Sequence, residues 1–390
     1  MMKPKNLAIV VACAALLSAC SGSDDSPAAV AHPLYAQSNE TDNAVLQFER
    51  NADGTFAPRA RIATGGKGTN GVDHVNKGVT GPDSLSSNRS VVVSGKRLFV
   101  ANAGDNTVSV FQIDAATGTP RLLKASPTGG TLPTSVAVNN DVLYVSHQQG
   151  GTVGAYKIGV DGALTKIGFY TLSHPDAVLT QVEVSAGGKS LVVNEFLSEL
   201  ATRAPGKTLT TFPIRSDGTL GVPSTVQSSG AGTLGGRFAH GKLSNAYVTA
   251  EAVSGSLSTY TLDNGALVAK SGPVIAVGQT EPCWLVITPD NRFVYTGNGA
   301  GTVSLYALDS EGRATLVTPV AATEAPPAGV ASALAADAWI SPDGKFLYQD
   351  YLGADKIVAY AIQPDGKLVK IGEQAANTAS HVSLQGLDGI

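Results

Sequence analysis

Charge is scarce in this 390-residue sequence: 15% of the residues are Asp, Glu, Lys or Arg, and they sum to a formal −4. A nucleic-acid-binding surface needs an excess of clustered cations, so no DNA or RNA partner is expected. Cysteine is scarcer, at three residues, Cys13, Cys20 and Cys283. No long amphipathic helical run follows the N-terminus. The motifs HExxH, GxSxG, the P-loop and the EF-hand loop are all missing, which removes the local signatures of the enzymes that use them. The histidines at 32, 74, 147, 174, 240 and 381 are scattered, and no pair has the spacing of a local metal site. No metal and no cofactor is therefore expected.

What is abundant is turn chemistry and apolar residues. The sequence has 44 glycines and 20 prolines, with 43% hydrophobic residues. That composition suits many short strands joined by tight turns, with ample material for a large core. The stretch RLFVANAGDNTVSVFQID, Arg97 to Asp114, is the unit that organises them. Two β-rich runs alternate large and small side chains on either side of Gly104, Asp105 and Asn106, the period and punctuation of a hairpin. The unit returns from Pro33, Val142, Ala246, Phe293 and Phe346, and from Ser190 with an insertion in its turn. Seven copies at roughly 40–60-residue spacing predict a repeat ring, an all-β seven-bladed β-propeller.

Each repeat reads as four strands, and stacking blades around an axis buries sheet faces that would otherwise stay wet. The first copy lacks an inner strand, while the last segment, Val382 to Leu387, lacks a partner. The C-terminal strand is thus expected to pair into the N-terminal blade and close the ring, removing two free edges. Two connections are long, Gly65–Ser87 between blades 1 and 2 and Pro319–Leu334 between blades 6 and 7. Connections of that length in a compact ring suit lids or rims.

The N-terminus reads as an address. Lys3 and Lys5 precede an apolar run, Leu7–Leu17, too short for a stable membrane span, so residues 1–19 are expected to be a signal peptide. The run ends in Leu17-Ser18-Ala19-Cys20, which resembles a bacterial lipobox. The resemblance implies lipidation at Cys20, residues 20–32 as a flexible tether, and a propeller domain over 33–390. Ser21 in place of Asp favours the outer membrane of a bacterial cell envelope. Cys283 would then be left alone, unable to form an intrachain disulfide.

Aligning the hairpins places Asn39, Asn102, His147, Glu195, Glu251, Asn298 and Tyr351 at equivalent second-strand ends. A second set, Ser90, Ser135, Gln181, Arg237, Trp284, Asp337 and Gln385, is expected early in the inner strands, next to the axis. Together they describe a polar funnel and the default candidate site. Asn102, Gln181, Glu251, Trp284, Asn298 and Asp337 are the candidate substrate-binding groups. Asparagines at strand ends also serve as turn caps, a purely structural role.

The chain resembles the lactonase-like seven-bladed propellers, which include 6-phosphogluconolactonase-type and carboxymuconate-cyclase-type enzymes. The matching motifs are TGGKGTNG at 64–71, VANAGDNTVSVF at 100–111, EPCWLVITPDNRFVYTGN at 281–298 and ISPDGKFLY at 340–348. By that resemblance the Asn194-Glu195 step and His147 would be catalytic. Two arginines of the family pattern are replaced around Thr180-Gln181 and at Gly299. A phosphorylated substrate would want several cations, and the expected funnel offers Arg237 alone. A neutral or weakly charged lactone fits better, with Glu195 or His147 as general base and Arg237 or a backbone N–H on the oxyanion. The rival expectation is a non-enzymatic propeller lipoprotein that binds a ligand or a protein partner.

Overall fold

The computed structural model describes Met1 and residues 32–390. The signal peptide, the lipobox at Cys20 and nearly all of the tether lie outside the described residues. Seven antiparallel sheets form the expected ring. Blade 2 is representative, with strands Val91–Ser94, Arg97–Asn102, Thr107–Ile113 and Pro120–Pro127 in simple up-and-down order. Blades 3 to 7 follow with second strands Val142–Gln149, Ser190–Glu199, Ala246–Glu251, Phe293–Asn298 and Phe346–Tyr351. Among the described residues the helical structure is two single 3₁₀ turns, Gly241–Leu243 and Leu352–Ala354.

Blade 1 closes as expected. Its strands Pro33–Gln37, Ala44–Arg50 and Phe56–Ala63 are completed on the inside by Gln385–Gly389, with Tyr35 opposite Asp388 and Ala36 opposite Leu387. The closing strand lies a few residues further on than the expected Val382–Leu387. The register of the second strands defines two mouths. They end at an upper mouth, where the blade-to-blade connections emerge. The lower mouth carries the tight turns between first and second strands, such as Pro289–Asn291.

Large aromatics hold the blades together. Tyr35, Tyr144, Tyr295 and Tyr348 are fully buried between sheets. Each donates its hydroxyl to a glycine carbonyl in a turn of the next blade. Tyr35 takes Gly118, Tyr144 takes Gly218 at 2.9 Å, Tyr295 takes Gly366 at 2.7 Å, and Tyr348 takes Gly54 at 2.8 Å. All four glycines have positive φ, which an L side chain would strain. A buried phenol needs such an acceptor, and burial pushes these four hydroxyls above their ordinary titration.

The two long connections differ. Gly65–Ser87 is a lid over the upper mouth, with its own small ribbon pairing Val72–Asp73 to Val79–Thr80. The connection between blades 6 and 7 is shorter than the sequence suggests, because residues to Thr323 extend that blade's outer strand Ala314–Thr323.

Removing residues 385–390 should strip blade 1 of its inner strand and reopen two sheet edges. Thermal unfolding followed by circular dichroism should fall by roughly 10 °C or more. An unchanged midpoint would mean the closure is dispensable.

Candidate active site at the upper rim

Most of the equivalent strand-end residues are consumed by the hairpins that carry them. Asn102 donates to Thr107 at 3.0 Å and Ser109 at 2.8 Å, and accepts from Asn43 at 2.9 Å and Thr64 at 2.8 Å. Its hydrogen-bonding capacity is filled. Asn298 repeats the donor half of the pattern, with Thr302 at 3.0 Å and Ser304 at 2.9 Å, while its Oδ1 is buried without a partner. Glu251 accepts from Ser256 at 2.6 Å, Ser258 at 2.8 Å and the Gly230 N–H at 2.7 Å. These side chains turn into the blade, where a strand end must satisfy its own polar groups, instead of into the funnel. Gln181 bridges inner strands of neighbouring blades through both the N–H and the carbonyl of Gly236.

His147 is also withdrawn. It is fully buried, packs against Phe169 at 5.4 Å between ring centroids, and meets Thr152 Oγ1 through Nδ1 at 3.1 Å. Burial pushes its titration down to about 4, so it is neutral at physiological pH and shut away from solvent water. Arg237 does not share a site with either. Near the end of its inner strand, it pairs with Val248 and lines the lower mouth. The expected Glu195–His147–Arg237 grouping is therefore not formed.

Glu195 has a different partner, which sequence reasoning missed. Its Oε2 stands 2.9 Å from Nδ1 of His174, in the connection that leads from blade 3 into blade 4. A carboxylate only accepts, so Nδ1 carries the proton and Nε2 presents its lone pair. Glu195 is buried, whereas 44% of the His174 side chain is exposed. Burial raises the Glu195 carboxyl, and the contact with His174 partly offsets this. Glu195 Oε1 is buried without a partner. The Glu195 backbone is clamped in both directions to Thr233 Oγ1, at 3.1 Å and 3.0 Å. A fixed acid thus orients an accessible imidazole, the arrangement that makes histidine a general base toward water. The His174-Pro175 pair precedes the blade's inner strand, and that position was the available signal.

The lid covers a separate cavity beside the pair, of ≈ 200 Å³. Val75 from the lid packs against Val178 and Leu197, and its carbonyl accepts from Arg203 at 2.6 Å. Trp284 holds the end of the lid, its indole N–H donating to Ser87 O at 2.7 Å. Asp73, Asp83 and Glu281 face this cavity with Arg203, while Glu195 and His174 are outside its wall. Gly68 is obligatory under the lid, since a Cβ there would lie 2.2 Å from the Asn39 backbone.

Asp337, Asp350 and Asp83 carry buried oxygens with no partner. Burial is the main cause of their raised titration, reinforced for Asp350 and Asp83 by the other acids; Asp337 is pushed up to about 7. Among the described residues no three Asp, Glu, His or Cys converge in a way that could hold a metal. Protonation is how such a group lowers its own cost.

The geometry defines a rigid propeller that presents an acid–imidazole pair on a lidded rim. The chain belongs to the lactonase family of seven-bladed β-propellers, whose model matches residues 34–182 and 200–381. His174 falls within the match and Glu195 in the gap, so the pair itself rests on geometry. A 6-phosphogluconolactonase of Pectobacterium atrosepticum is 26% identical over 287 residues, covering 72% of this chain and 82% of its own. A solved chain from Bacteroides fragilis superposes with a TM-score of 0.72 at 17% identity, covering 94% of this chain and all of its own. The periplasmic gluconolactonase of Pseudomonas aeruginosa superposes at 0.70 and 15% identity, covering 92% and 99% respectively.

Asp337 allows a test of the buried acids. Its native-state titration lies above the ordinary 3.8, so the stability it contributes is full below about pH 4 and is lost as pH rises through about 7. Asp337→Asn should flatten that slope and leave the variant more stable than the parent at pH 8, by roughly 1–3 kcal/mol. Urea unfolding at pH 5 and pH 8 checks this. A parallel shift of both curves would refute it.

Proposed function

We propose that this chain hydrolyses a neutral or weakly charged lactone at the upper rim, with His174 as general base and Glu195 as the residue that positions it. The 2.9 Å contact between Glu195 Oε2 and His174 Nδ1 carries the reading. His174 Nε2 takes a proton from water as the oxygen attacks the lactone carbonyl. The ring C–O bond then breaks, and the imidazolium returns the proton to the leaving alkoxide. Family membership supports acyl-oxygen chemistry. The curated relatives are named for a phosphorylated lactone and the Pseudomonas protein for gluconolactone. A phosphate group would want convergent cations. At the pair, His174 and Glu195 meet each other, and among the described residues neither forms an ion pair with an arginine or lysine. Electrostatics therefore favour the uncharged sugar lactone.

His174→Ala and Glu195→Gln should each lower kcat/KM for gluconolactone about 10²–10³-fold with unchanged thermal unfolding. His147→Gln should keep most of the wild-type rate. Folded wild type without turnover on a lactone panel would instead favour a binding propeller. That second reading draws on the lidded cavity, which is closed by side-chain ties and holds neither member of the pair.

We also infer that the protein is anchored in the cell envelope through Cys20. Pro33 starts its strand at the lower mouth, so the tether would join the ring on that side. Cys20→Ser should move the protein from the membrane fraction to the soluble one and abolish labelling by a radioactive fatty acid. Retention in the membrane would reject the anchor.

A further inference from the structure

The lower mouth of the ring holds a cavity of ≈ 390 Å³ that the lactone chemistry does not use. Its size is that of a small-molecule pocket. Two arginines enter it from different blades. Arg89, just ahead of the inner strand of blade 2, reaches Glu183 of blade 4 with Nε 3.3 Å from Oε2. Arg237 of blade 5 approaches the same oxygen only to 3.9 Å, beyond hydrogen-bond reach. Neither Arg89 Nε nor Glu183 Oε2 completes a hydrogen bond. One carboxylate thus sits between two guanidinium groups and satisfies neither fork.

The other acid in the wall is already engaged. Asp388, on the closing strand, accepts from the N–H of Val93 at 2.8 Å and of Gly389 at 3.0 Å. Two arginines and two acids balance formally, but Arg237 has neither acid at hydrogen-bond distance, and its planar donors match a carboxylate two-pronged. Two wall acids make a second negative charge on the occupant costly. Phe238 and Trp339 supply aromatic surface beside the arginines, with aliphatic residues between them. This combination suits a flat or compact organic body with one anionic end.

We propose that the lower mouth is a second binding site, for a small organic monocarboxylate held by Arg237 and Arg89 against Phe238 and Trp339. It is independent of the upper rim and of whether the protein is a hydrolase.

The two tryptophans give separate reporters, Trp339 in this mouth and Trp284 under the lid. Benzoate titrated into the full folded domain carrying Trp284→Phe should quench Trp339 saturably, with a Kd below about 5 mM. Calorimetry on the unsubstituted chain should return the same constant. Arg237→Gln should weaken binding at least about tenfold. Arg237→Lys, which keeps the charge and loses the fork, should weaken it several-fold and serves if the glutamine variant does not fold. Benzamide, of the same shape without the charge, should not saturate. Inorganic phosphate at equal concentration should not displace benzoate. Equal binding of benzoate by the Arg237 variants, equal binding of benzamide, displacement by phosphate, or no saturation would each overturn the assignment.

Discussion

The ring depends on a phenol reaching across a blade boundary. A tyrosine near the middle of a second strand donates to a glycine carbonyl in a turn of the next blade, at the junctions of blades 1–2, 3–4, 6–7 and 7–1. The tie demands two things at once: a large aromatic on the inter-blade face and a glycine held at positive φ in the turn. Neither has a use in an isolated sheet. At the blade 4–5 junction the geometry is different, and Tyr247 donates instead to Asn194 Oδ1 at 2.6 Å. Asn194, half of the Asn-Glu step, is thereby spent on holding two blades together, and it fixes the strand that presents Glu195.

The same demand for satisfied polar groups explains why so few of the polar strand ends are free to react. Asn102, Asn298 and Glu251 each bind the first and third residues of the strand that follows, so their polarity serves the hairpin. Blade 4 departs from this because its hairpin is extended, with Ser190–Glu199 pairing both Ala204–Pro205 and Thr208–Pro213. There one carboxylate oxygen turns to His174 and the other has no partner. The unpartnered carboxylate oxygen thus falls where the repeat is irregular.

Along the axis, charge is arranged in layers. The upper half gathers buried acids whose titration is raised by burial. The lower mouth sets two arginines against two further acids, Glu183 and Asp388, whose titration burial also raises. Arg89 joins the two, its backbone N–H directed at Asp337 and its side chain at Glu183. The two ends thus present different side chains, and the rigid ring keeps them apart.

By itself the sequence determined the repeat and its closure. Alternation of period two, turn residues at fixed offsets and a missing inner strand are local signals, and local signals survive into the fold because every blade uses them alike. The family likeness was legible for the same reason. The site was not. Which face a strand-end residue takes depends on bulges such as those at Leu179 and Gln181, and no periodicity records them. His147 and His174 look alike in the chain, yet packing buries one against Phe169 and leaves the other beside Glu195 with an open edge. Arg237 aligns with the funnel positions in sequence but stands near the end of Thr233–Phe238, at the opposite mouth, because inner strands run the length of the axis. Contacts between blades, far apart in sequence, made those choices, and only the closed ring brings them together.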